Sequence, residues 1–144
     1  MSISSILTSL ENQVSATLGA EWSELKYVYN LEDNNFRDGS NSYGVGALSG
    51  SNVSGTNKAL TVDMGFFITL TKNFVNRSND SKEREVLSDI YDKFEDININ
   101  VFQKKLSNSS VLVVQDITYE EPEKIDKGTI AVTCSLIIKY RNIT

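Results

Sequence analysis

RDGSNSYGVGALSGSNVSGTN, Arg37 to Asn57, holds five of the chain's eight glycines and few large apolar side chains, between segments that alternate like strands. Its composition reads as a long flexible connection. A phosphate cradle can be tested letter by letter. A dinucleotide fingerprint needs glycines at its first, third and sixth places ahead of a helix; GVGALS from Gly44 supplies two, puts Ser49 at the sixth and leads into a strand. A P-loop needs lysine and a hydroxyl after its second glycine, and GSNVSGTN from Gly50 has Thr56 and Asn57 there. Without that lysine or a helix N-terminus, neither charge nor dipole holds an anion. The expectation is a loop over residues 32–57 that is poorly ordered alone and orders against a neighbour.

Outward from this stretch the periodicity is clear. Ile3, Ile6, Leu7, Leu10, Val14 and Leu18 recur at helical spacing, and Gly19 follows as a C-cap. LKYVYNL alternates Leu25, Tyr27, Tyr29 and Leu31 as a half-buried strand would. LTVDMGFFITLT places Leu60, Val62, Met64, Phe66, Ile68 and Leu70 on one face, with Phe67 the exception on the other. A long helix opens near Asp80, with Glu83 at capping-box spacing, and buries Val86, Leu87, Ile90, Phe94, Ile97 and Val101. Strands over 110–119 and 128–142 read as a hairpin around the acidic turn EEPEKIDKG, with Ile130, Val132, Cys134, Leu136, Ile138 and Tyr140 on one face. The fold class is therefore α+β. One domain spans 1–144, with a single mixed or antiparallel sheet of about four strands, two helices on one face, and the long loop between the first two strands.

Composition removes several functions. A net charge of −5 opposes nucleic-acid binding, which relies on clustered lysine and arginine. No apolar run is long enough to span a membrane, and the start MSISSILTSLENQ lacks a signal peptide's pattern, so no membrane partner and a cytoplasmic site of synthesis are expected. With no histidine and one cysteine, structural zinc and a disulfide have no ligands to use. Cys134 reads as a core residue, and no nucleophile has a base, so no catalytic residue, metal or cofactor is assigned. Glu85, Asp89, Asp92 and Asp96 form an acidic stripe that reads as a solvated helix face. Phe67 and Ile137, apolar on a polar sheet face, suggest a surface covered in a complex, as do Trp22, Phe36 and Tyr43 in loop-like sequence.

The order of elements, with SYGVGALSGS, the alternating LTVDMGFFITLTKNFVN and the acidic helix DSKEREVLSDIYDKFEDI, resembles the tail terminator (tail completion) proteins of tailed bacteriophages. The resemblance implies a non-enzymatic virion subunit, made in the host cytoplasm, that forms a ring, usually a hexamer, on the tail tube. Such a ring stops tube growth and joins the tail to the head completion or connector protein. By position it gives a docking role to Tyr43, Gly44, Val45, Gly46 and Leu48, beside Phe36 and Phe67. DNA would pass without being bound, and an acidic lumen suits that passage; Glu120, Glu121, Glu123 and Asp126 are the candidate lining. Another neck or connector ring component, or a small cellular binding module, is the alternative.

Overall fold

A computed structural model describes residues 3–36, 39–55, 59–73, 80–103, 111–126 and 128–143. Helix α1, Ile3–Leu18, turns Ile6, Leu10, Val14 and Leu18 inward. Gly19 ends it at φ +87°, and its N–H reaches the Ser15 carbonyl at 3.0 Å. A left-handed residue at this place closes the last turn, and glycine adopts it without a Cβ clash. Helix α2, Asp80–Ile97, buries Val86, Ile90, Phe94 and Ile97 and continues as a π-helical turn, Asn98–Gln103. Leu87 is half-buried; the side chains of Asp80 and Val101 lie outside those described. No described helix is long and apolar enough to cross a membrane.

Among the described residues the sheet has six strands: β1 Trp22–Glu24, β2 Asn41–Gly55, β3 Ala59–Asn73, β4 Val111–Tyr119, β5 Glu123–Asp126 and β6 Thr129–Ile143. Their order is β1-β2-β3-β6-β4, with β5 also on β6. Only the β1–β2 pair is parallel; the other pairs are antiparallel. The α+β class therefore stands, with six strands in place of four. Phe66, Ile68 and Leu70 of β3 and Val132, Cys134, Leu136 and Ile138 of β6 form one core cluster with the inward stripes of both helices.

The sequence reading fails in two neighbouring places. The expected loop over 32–57 is largely strand: β2 pairs with β3 from Asn41↔Lys72 to Gly55↔Leu60, interrupted by bulges after Ala47 and Gly50. Conversely, LKYVYNL forms no strand. Leu25 to Phe36 instead follow β1 as a strap containing a 3-10 turn, Leu31–Asp33. Asn34 explains how this segment does without a ladder. Its Oδ1 accepts from the Tyr27 N–H at 3.0 Å, and its Nδ2 donates to the carbonyls of Tyr27 at 2.7 Å and Leu31 at 3.1 Å. Backbone groups that a neighbouring strand would satisfy are met by one side-chain amide.

Gly44 and Gly46 alternate with Tyr43, Val45 and Ala47, so they share the sheet face away from the core. A Cβ on Gly44 would stand 3.1 Å from Leu25 Cδ1 and 3.1 Å from Val28 Cγ1; one on Gly46 would enter the Phe67 ring, 3.0 Å from the Tyr29 hydroxyl. Neither glycine has a positive φ. They admit the strap onto the second sheet face, which is a steric use of glycine inside a strand.

Candidate functional site

The strap makes a site of the second sheet face. The Tyr29 hydroxyl accepts from the Ala47 N–H and donates to the Ala47 carbonyl, both at 2.9 Å, capping the outer edge of β2 where β1 has ended. The Tyr29 ring meets Phe67 edge to face, with centroids 5.4 Å apart and planes at 78°. Under and beside the strap the face is polar yet buried: Thr69 1%, Thr71 1%, Asn73 4% and Thr129 0% exposed. Thr71 donates to the Ser42 carbonyl at 3.5 Å, and the others are paired more closely. Thr69 and Thr133 hydroxyls bond at 2.9 Å, Asn73 Nδ2 donates to Thr129 Oγ1 at 2.9 Å, and the Gly39 N–H donates to Asn73 Oδ1 at 3.0 Å. Paired in this way, buried hydroxyls and amides avoid the cost of lost hydration.

Between the strap and β5 the face opens into a groove of about 300 Å³. Its floor is Phe67, Thr69, Thr133 and Ser135; Tyr29 and Leu48 stand on one side, and Glu120 and Glu123 on the other. Glu32, from the 3-10 turn, completes the rim. Ser135 Oγ donates to Glu120 Oε1 at 3.0 Å, and the Glu120 N–H reaches the Thr133 carbonyl at 2.8 Å, fixing the acidic wall to β6. Lys124, next to Glu123, turns the other way and bonds Glu83 of α2 at 2.5 Å. Strand alternation separates neighbours in this manner.

The residues given a docking role by position divide sharply. Tyr43 and Val45 belong to the core cluster, as does Trp22. Gly44 and Gly46 lie beneath the strap, and Phe67 is covered by Tyr29 from the same chain. Phe36 is half-buried, while Leu48 is 46% exposed. The acidic turn is no free hairpin tip: β5 draws it back along β6 through the pairs Glu123↔Ala131 and Lys124↔Ile130. Glu120, Glu121 and Glu123 are exposed; the Asp126 side chain lies outside those described. Glu85, Asp89, Asp92 and Asp96 are exposed on α2, with Asp89 3.1 Å from Lys72.

Cys134 is fully buried, and burial, with the Glu120 charge adding to it, pushes its thiol up to about 12. A thiol this hard to ionise is a poor nucleophile. Elsewhere, the Glu11 carboxyl is held up at about 7, first by its hydrogen bond to Glu24, then by burial and by the Glu24 charge. No three His, Cys, Asp or Glu side chains among the described residues are grouped to hold a metal ion. The groove's contributors Tyr29, Glu32, Thr133 and Ser135 were missed from sequence because no local spacing joins them; the strap does. The chain matches no protein-family model and no curated protein.

Proposed function

We propose that the chain is a structural subunit of a phage neck, a tail terminator that assembles with copies of itself into a ring on the tail tube. The supporting observation is the pair of open edges at opposite sides of one sheet. Beyond the Tyr29 cap, β2 has no outer partner among the described residues, and Leu48 and Val53 are 46% and 65% exposed beside it. At the far side β4 ends the sheet, with Val113 40%, Ile117 36% and Tyr119 42% exposed. Edges are ordinarily guarded by charge or proline, and β2 carries neither from Asn41 to Gly55. Two different edges joined head to tail make a heterologous contact, and such contacts close into rings when the rotation permits. Packing both helices on one face would leave these edges clear. In this reading the subunit meets the tail tube on one side of the ring and a head completion or connector protein on the other, and DNA passes through.

The test is mass measured across protein concentration, followed by imaging with tail tubes. A six-fold species that loses its assembly on Val53→Lys or Ile117→Lys, and that caps tube ends, supports the reading. A monomer at every concentration, with or without tubes, overturns it.

A further inference from the structure

We propose that the groove between the strap and β5 receives the guanidinium group of an arginine carried by a partner protein. Two independent features converge there. One is shape: an open groove of about 300 Å³, at the small end of the range for ligand sites, with an aromatic side formed by Tyr29 over Phe67. The other is charge. Glu32 arrives from the strap and Glu120 and Glu123 from the acidic turn, and among the described residues no lysine or arginine lines the groove. The nearest cation by sequence, Lys124, is engaged with Glu83.

The chemistry narrows the occupant. The carboxylates are too dispersed for one metal ion, since no such group of three is found among the described residues. A guanidinium is broader: its planar fork presents five donors, bonds carboxylates in pairs and stacks on aromatic faces, whereas an ammonium acts as a point charge. Ser135 holds the Glu120 carboxylate by its hydrogen bond, so one acceptor is already oriented. The rim decides the source. Tyr29 is 72% and Leu48 46% exposed, apolar surface that a free guanidinium would leave in water and that a polypeptide bearing arginine would cover.

The assignment does not depend on ring formation, and it is read on the isolated chain. Isotope-labelled protein is titrated with N-acetyl-arginine amide, N-acetyl-citrulline amide as its neutral counterpart, N-acetyl-lysine amide, and a short peptide with leucines flanking arginine. The arginine amide is expected to shift the amide signals of Phe67, Thr69, Thr133 and Ser135 with millimolar affinity. Lysine binds about threefold more weakly, as the smaller stacking contribution implies. The leucine-flanked peptide binds more tightly than the amide alone. Glu120→Gln with Glu123→Gln weakens arginine binding about tenfold, with the remaining spectrum unchanged. Equal binding of citrulline, or no shift at these four residues, overturns the site; equal affinity of peptide and free amide overturns the protein partner.

Discussion

A single methyl group at Gly46 tests how the strap is seated. In a flexible loop, Gly→Ala is neutral or stabilising, because it removes unfolded-state freedom. Here the new Cβ enters the Phe67 ring, so Gly46→Ala is expected to cost about 1–3 kcal/mol in urea unfolding, the usual price of overpacking. Gly44→Ala costs less, since its neighbours are methyl groups of Leu25 and Val28 at 3.1 Å or more. Tyr29→Phe keeps the ring but loses both bonds to Ala47, a loss of about 1–2 kcal/mol. Glu11 supplies a pH signature. Its folded value of about 7 lies above the ordinary 4.5, so the folded state binds the extra proton and stability falls as pH rises from 4.5 through 7. The side chain is only partly buried, so the effect is at most about 1 kcal/mol. Thermal unfolding of Glu11→Gln, compared with the parent across that window, should show a flatter pH dependence.

Among the elements, those with strong side-chain periodicity were legible. The α1 stripe, the apolar face of β3 and the Ile130 to Tyr140 face of β6 lie where alternation places them. Cys134 follows from its register: it should resist thiol reagents until the chain unfolds, and Cys134→Ser should destabilise by about 1–3 kcal/mol through a buried hydroxyl. β2 was obscured because two of its second-face positions, 44 and 46, are glycine. Tyr43, Val45 and Ala47 do alternate, yet glycine between them reads as a breaker when the segment resting on it is unknown. The strap gave the opposite error. Leu25, Tyr27, Tyr29 and Leu31 alternate convincingly, but Asn34, seven residues beyond Tyr27, satisfies the local backbone and removes the need for a ladder. Neither interaction is encoded in periodicity. Deleting Gly44 to Gly55, tolerable for a loop, removes most of the β2–β3 pairing and should abolish cooperative unfolding.

For the whole molecule, the two errors have one cause. A glycine-bearing strand and a strap that needs its glycines are complementary parts, and each is misread without the other. Together they cover part of the second sheet face, cap part of one edge and build the groove, leaving the rest of β2 and the outer side of β4 without a strand partner among the described residues. The groove was illegible from sequence because Glu32, Phe67, Glu120 and Ser135 meet only through this arrangement. The most direct measurement is amide hydrogen exchange in the isolated chain at low protein concentration. The Ala47 N–H and the Tyr43 carbonyl point away from β3, so alternation turns the Gly44 and Gly46 amides toward it. Those two amides should exchange slowly, at rates comparable to Ile68 and Cys134 in the neighbouring strands. Exchange within the first seconds, with protection appearing only after addition of a partner, would contradict the account and restore the docking loop.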